Sequence, residues 1–181
     1  AMHTTYFKDW AAFEAHLEEL GFFHMELGLE RIGTVLDAMG LRRLPCPTVQ
    51  VAGTNGKGST CTFLASLARA HGCKAMLHSS PHFVSLRERV RVFAPGGSPW
   101  GELLPEGRWL EAANAVMTSG GDKLTYFELV TVMAAWLMRE EGAKLAVLES
   151  GLGGSHGATT AMDVDLSAFT PIGLDHCAVL G

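Results

Sequence analysis

Within seven positions, Gly53-Thr54-Asn55-Gly56-Lys57-Gly58-Ser59 combines three glycines, a lysine and two hydroxyls. Glycines let backbone N–H groups approach phosphate oxygens closely, and a helix starting here would add the positive end of its dipole. Lys57 is suited to neutralise the outer phosphates as a point charge. Ser59, or Thr60 beside it, offers a hydroxyl to a magnesium ion bridging those phosphates. The spacing departs from G-x-x-x-x-G-K-[ST], because Gly53 is close to Gly56 and Gly58 separates Lys57 from Ser59. The alternative is a glycine-rich turn with an incidental lysine. Phosphate binding is favoured because strand, loop and helix occur in the required order.

Three further residues have chemistry to offer: Ser80, Glu149 and His176. Glu149 closes an apolar strand, and a carboxylate there suits direct or water-mediated Mg²⁺ coordination; the competing role is a capping or salt-bridged glutamate. His176 follows the last strand in Gly173-Leu174-Asp175-His176. By residue type alone it is as readily structural as a ligand, since Mg²⁺ prefers oxygen. His16, His24 and His71 read as surface or helix residues. Arg87, Arg89 and Arg91, interrupted by Glu88, read more readily as the solvated face of a loop or edge strand than as a phosphate site.

The elements that must hold these groups follow from periodicity. Phe7–Leu20 aligns Trp10, Phe13, Leu17 and Leu20 on one helical stripe, with Thr4 or Thr5 as cap and Gly21 as stop. A second helix is expected over Glu26–Met39, ending at Gly40. Pro45 and Pro47 lead into a strand, Thr48–Ala52, and the phosphate loop follows it. The next helix is expected to turn Phe63, Leu64, Leu67 and Ala70 inward before a strand over Lys74–His78, completing a β-α-β unit. Such units imply parallel strands in a sheet covered on both faces. The Pro- and Gly-rich stretch from Ser79 to Gly101 reads as a functional loop with one strand near Val90–Phe93. Helices over Glu106–Thr118 and Thr125–Glu141 come next, the latter with Phe127, Val130, Ala134 and Leu137 on one face. A buried strand, Leu145–Leu148, delivers Glu149; a glycine turn over Gly151–Gly157 and a strand over Leu166–Pro171 complete the pattern. Lys57, Ser59, Ser80, Glu149 and His176 all fall just after strands. In an open parallel sheet that is the edge where ligands bind.

Composition narrows the class. The 181 residues are 48% hydrophobic and 18% charged with net charge -5, which suits a globular protein without the basic footprint of a nucleic-acid binder. Cys46, Cys61, Cys73 and Cys177 have no C-x-x-C spacing, so reduced thiols are expected. No signal peptide or membrane-length apolar run is visible, and the expected compartment is the cytoplasm.

Taken in order, the phosphate loop, Ser80-Pro81-His82, Glu149 with Gly151-Leu152-Gly153-Gly154, and Gly173-Leu174-Asp175-His176 resemble the folylpolyglutamate synthase and dihydrofolate synthase family, and more broadly the Mur ligases of cell-wall synthesis. The resemblance runs from about Leu27-Gly28-Leu29-Glu30-Arg31 to the end. It implies an α/β fold, a three-layer P-loop domain with a mostly parallel sheet covered by helices, like the central domain of Mur ligases. Residues 1–44 would be helices and linker and 45–181 the nucleotide-binding core. A C-terminal Rossmann-like domain and a carbamylated lysine would lie beyond Gly181, so the 181 residues alone are expected to lack ligase activity.

The implied reaction uses ATP to convert a substrate carboxylate into an acyl phosphate, which the amine of L-glutamate displaces to form an amide. Such activation is needed because a carboxylate is a poor electrophile until its oxygen becomes a good leaving group. By the resemblance, Gly53, Thr54, Asn55, Gly56, Lys57, Gly58, Ser59 and Thr60 bind ATP; Ser59, Ser80, Glu149 and His176 hold Mg²⁺; and Lys57, Glu149 and His176 serve catalysis. Leu27, Gly28, Leu29, Thr125, Tyr126, Phe127, His156, Gly157 and Ala158 correspond to the folate or dihydropteroate site, although the helical stripe would equally place Phe127 in the core. The glycine turn departs from the family's Gly-Gly-Arg-x-Asp-Ala-Thr-Asn: Ser155, Gly157 and Thr160 stand for the arginine, aspartate and asparagine. That puts dihydrofolate synthase activity in question. A Mur-type ligase with another substrate, another P-loop phosphotransferase and a non-catalytic nucleotide-binding module are the alternatives. A monomer acting on small molecules is expected.

Overall fold

A computed structural model of the chain describes residues 6–21, 28–151 and 157–173. Six strands form one sheet in the order β4-β3-β2-β5-β1-β6. They are β1 (Thr48–Ala52), β2 (Ala75–His78), β3 (Val90–Phe93), β4 (Glu102–Leu103), β5 (Leu145–Glu149) and β6 (Leu166–Phe169). β2, β5, β1 and β6 run parallel, while β3 and β4 add an antiparallel edge. The register pairs Val51 with Glu149, Ala52 with Phe169 and His78 with Leu148. The carboxyl ends of four strands therefore lie side by side, as parallel β-α-β connections require.

The helices are α1 (Trp10–Leu20), α2 (Glu30–Ala38), α3 (Lys57–Ala70), α4 (Glu106–Thr118) and α5 (Tyr126–Glu140). α3 packs on one face of the sheet over a small core that includes Val51, Cys61, Ala65, Leu77 and Val147. On the other face, α5 lies against β2 and carries α2 and α4, with α1 packed on α4. Eleven of the 15 residues of α5 are buried, so it is the central element of the larger core and not a one-sided helix. Thr125 starts it with a capping box: the Thr125 side chain accepts from Glu128 N, and the Glu128 carboxylate accepts from Thr125 N at 2.9 Å.

The structure changes several expected boundaries. α1 begins at Trp10, not Phe7, because the Asp9 carboxylate accepts from Ala12 N at 2.9 Å and caps it there. Phe7 is instead buried beside the helix, with its backbone N–H bonded to Asn114 Oδ1 at 2.8 Å. Thr4 and Thr5 lie outside the described residues, as do Glu26 and Leu27; α2 is observed from Glu30 with Leu29 as its N-cap. The inner stripe of α3 is a correction. Phe63 and Leu67 are exposed, and Cys61 and Ala65 are the buried pair. Small residues face the sheet there because the helix packs close to it; of the expected stripe Leu64 alone packs, half-buried, against this core, and Ala70 is exposed. Arg89 also departs from a solvated face: it is only 3% exposed. Leu166 and Phe169 of β6 are exposed.

Candidate functional site

The phosphate loop is shaped by its neighbours. Gly53 has φ +134, and a Cβ there would collide with Thr170 Oγ1 and lie 2.8 Å from the Thr170 carbonyl oxygen, so this position requires glycine. The loop is tied to the chain after β6: Thr54 N donates to the Pro171 carbonyl at 3.1 Å, and Gly173 N donates to Thr54 Oγ1 at 2.9 Å. Gly56, at φ +82, turns the chain into α3, whose first residue is Lys57. Lys57 Nζ folds back and donates to the carbonyls of Gly53 at 2.8 Å and Thr54 at 3.1 Å. Asn55, Ser59 and Thr60 are exposed at the start of the helix. The result is a helix N-terminus with a fixed cation, the arrangement that attracts phosphate.

Glu149 arrives at the end of β5 only 8% exposed. Its Oε2 accepts from Ser80 N at 3.1 Å, and a Cβ on Gly58 would lie 3.5 Å from its Oε1. Burial pushes its pKa above the usual carboxylate value, against the opposing pull of the Ser80 N–H, Lys57, Arg91 and Arg89. The carboxylate thus sits against the second residue of α3, buried and accepting one backbone bond.

Two cavities meet at this point. The larger, about 590 Å³, is lined by Gly58, Ser59, Thr62 and Phe63 of α3, by Ser79 to Pro81, and by Arg91 and Trp100. The smaller, about 70 Å³, lies toward α5 and is lined by His78, Thr125, Phe127, Glu128, Thr131, Gly157, Ala158 and Thr159. Ser80 and Glu149 line both. Of the residues expected at the nucleotide and metal, Gly58, Ser59, Ser80 and Glu149 share the larger cavity; Gly53, Thr54, Asn55, Gly56, Lys57 and Thr60 do not line it. Of those expected at the acid substrate, Thr125, Phe127, Gly157 and Ala158 share the smaller one. Tyr126 is fully buried and does not line it, and Gly28 and Leu29 lie at the start of α2 outside its wall. Leu27, His156 and His176 lie outside the described residues.

The structure adds His78 to the site and moves Arg89 and Arg91, expected on a solvated face, beside it. His78 is buried, with Nδ1 2.9 Å from the Arg89 carbonyl and Nε2 3.5 Å from Thr131 Oγ1. Because a carbonyl only accepts, the proton resides on Nδ1. Burial brings the His78 pKa down to about 4, so the ring is neutral at pH 7. The Arg89 guanidinium lies over the rings of Tyr126 and Phe127, at 5.3 and 5.1 Å, and its Nε donates to His82 Nδ1 at 2.8 Å. Arg91 donates to Thr62 Oγ1 and to the Trp100 carbonyl, both at 2.9 Å. The spacing Thr125-x-x-Glu128 was the available sequence signal for Glu128, as a capping box.

Among the described residues no three His, Cys, Asp or Glu side chains converge to form a metal cage. Hydroxyls and one carboxylate beside a phosphate loop are instead a donor set for a hard cation that keeps waters and shares phosphate oxygens, as Mg²⁺ does.

No protein-family model matches the chain. It is 41% identical over 173 residues to the dihydrofolate synthase/folylpolyglutamate synthase of Escherichia coli K12, covering 94% of this chain and 39% of that protein. It is 36% identical over 161 residues to human mitochondrial folylpolyglutamate synthase, covering 87% of this chain and 26% of that one. Among solved structures, E. coli FolC in complex with DHPP and ADP superposes with a TM-score of 0.84 at 40% identity, over 94% of this chain and 40% of that chain. A bifunctional folylpolyglutamate synthase/dihydrofolate synthase with Mn, AMPPNP and L-glutamate bound gives 0.82 at 38% identity, over 99% and 42%. The resemblance read in the motifs holds in both sequence and fold, and the chain spans about two-fifths of the length of its bacterial relatives.

Proposed function

We propose that this chain, similar in sequence and fold to folylpolyglutamate and dihydrofolate synthases over the length compared, carries the ATP-phosphate and metal site of an ATP-dependent acid–amino-acid ligase. The substrate is a folate or dihydropteroate carboxylate and the added amino acid is L-glutamate. The observation that supports this best is the Ser80–Glu149 bond, which sets a buried carboxylate at the junction of a phosphate loop and two cavities.

Bound Mg·ATP supplies the phosphoryl group that activates the substrate carboxylate. Gly53 to Thr60 form the cradle, and Lys57, held on the carbonyls of Gly53 and Thr54, provides the counter-charge. Ser59, Ser80, Glu149 and His176 are the metal ligands in this reading. The smaller cavity takes the acid substrate, with Thr125 and Phe127 on one wall and Gly157 and Ala158 on the other. Burial keeps water from the carboxylate, so charges placed beside it act more strongly than in solvent.

Gly157 brings no side chain to that cavity where the family has an aspartate. Glutamate addition to a folate is therefore favoured over dihydrofolate synthesis. The same reading takes residues 1–44 as helices and linker around a nucleotide-binding core at 45–181. It also has the protein acting as a cytoplasmic monomer on small molecules; no described helix is long and apolar enough to cross a membrane.

The test is a coupled assay of the intact protein with Mg·ATP and L-glutamate, offering tetrahydrofolate and dihydropteroate in parallel. ADP and amide forming in step, with tetrahydrofolate preferred, is the expected result. ADP without amide, or turnover only with a nucleotide-linked peptide, would overturn it.

A further inference from the structure

A capping-box glutamate is ordinarily a surface residue, because its work is done at an exposed helix start. Glu128 differs. Its side chain is 5% exposed, and it lines the smaller cavity next to Thr125, whose backbone it caps. A carboxylate buried to this degree needs a cation and filled hydrogen-bond sites to offset the loss of water around it. Arg31, from the first turn of α2, meets both needs: Nη2 donates to Glu128 Oε1 at 3.1 Å and Nε approaches Oε2 at 3.4 Å. The planar fork matches the carboxylate edge in a way a lysine does not. One Glu128 oxygen, Oε2, thus holds Thr125 N and faces Arg31 at once.

Arg31 itself does not line the cavity. Among the described residues, it is linked to the cavity wall through Glu128 and Thr125. Where α2 sits is therefore passed along two bonded contacts to a cavity wall, with Phe127 one helical position beyond Tyr126 on the same capped turn.

We propose that Arg31 and Glu128 are a positioning pair for the acid substrate, fixing the first turn of α5 so that Thr125 and Phe127 stand at the correct distance from Ala158 and Glu149. This rests on the smaller cavity being the acid-substrate site. The pair acts on the affinity of that substrate and leaves the phosphate loop, which leads into α3 on the opposite face of the sheet, unaffected.

The experiment uses the intact protein with Arg31→Ala and Arg31→Lys. Arg31→Ala raises KM for the folate-type acid about tenfold or more, with KM for Mg·ATP and kcat within about twofold of wild type. Arg31→Lys, which keeps the charge and loses the fork, falls between. The Arg31 side chain is 30% exposed, so added guanidinium ion at sub-denaturing concentration reaches the vacated site and restores the acid KM, while tetramethylammonium does not. A merely structural role would lower thermal stability without that selective rescue. An unchanged acid KM in a folded variant, or equal loss for acid and nucleotide, overturns the proposal.

Binding of tetrahydrofolate and dihydropteroate, followed by quenching of protein fluorescence, gives a readout independent of turnover. If the wild type binds a pterin acid and Arg31→Ala binds it about tenfold more weakly, the pair stands even where no amide forms. Failure of the wild type to bind either acid sinks the inference along with the assignment of the cavity.

Discussion

Glu149 carries two opposing demands. Its place beside Gly58 and Ser80 suits a metal ligand, yet burial raises its pKa, so the folded protein resists its ionisation. A carboxylate with a raised folded-state pKa contributes its stability while protonated and loses it as the pH climbs through that value. Glu149→Gln keeps an acceptor for Ser80 N and removes the charge. Melting curves recorded without nucleotide from about pH 4 to about pH 8 are expected to show the variant gaining on wild type as pH rises. The same substitution is expected to abolish the Mg²⁺ dependence of nucleotide binding by calorimetry. A variant that melts lower at neutral pH would show that the Lys57 and Arg91 charges outweigh burial. Glu149 was legible in the sequence because an acid ending an apolar strand is conspicuous. His78 was not, since a histidine within Ala75–His78 looks like any strand residue until the Arg89 carbonyl and Thr131 hydroxyl are seen around it.

At the scale of the element, α3 shows where periodicity misleads. The hydrophobic stripe pointed to Phe63 and Leu67, but the helix turns Cys61 and Ala65 to the sheet. Side-chain size, not hydrophobicity alone, set the rotation, because the face that packs closest takes the smallest residues. Burial pushes the Cys61 thiol up to about 12, so it carries almost no thiolate at pH 8. Iodoacetamide at that pH is expected to spare Cys61 in the native protein and label it once the protein is unfolded, read by mass spectrometry. Ala65→Leu overpacks the interface and is expected to cost about 1–3 kcal/mol in urea unfolding. Phe63→Ser, at a residue 70% exposed, is expected to stay within about 0.5 kcal/mol. Labelling of native Cys61, or a larger cost at Phe63, would reverse that orientation. β1, α4 and β5 were readable within a residue, since their patterns are bounded by turns and end in clear breaks. Arg89 was not, because three arginines around one glutamate look solvated until the aromatic pair at the start of α5 is placed beneath one of them.

For the whole molecule, topology does most of the assembly. The order β2-β5-β1-β6 brings the loops after four strands to one rim, although Thr54 and Gly173, bonded there, are 119 positions apart in the chain. That convergence was visible from the sequence as special residues following strands. The two cavities were not visible, because the sequence does not say on which face of the sheet each loop falls. Nor was the exposure of β6: among the described residues no strand pairs with its outer edge, and Leu166 and Phe169 face solvent there.

The partition between the cavities has a thermodynamic consequence. Ser80 and Glu149 belong to both walls, so a ligand that settles this pair from one side has already met part of the ordering cost for the other. Around a closed cycle, the factor by which nucleotide alters the affinity for the acid must equal the factor by which the acid alters the affinity for nucleotide. Titrating each ligand in the presence and absence of the other is expected to give one shared enhancement, on the order of 5-fold or more. In Ser80→Gly, which frees the loop on both sides, the enhancement should fall toward one; if it does not, the two sites communicate by another route. Saturation with either substrate would then be felt by the other before any bond is made.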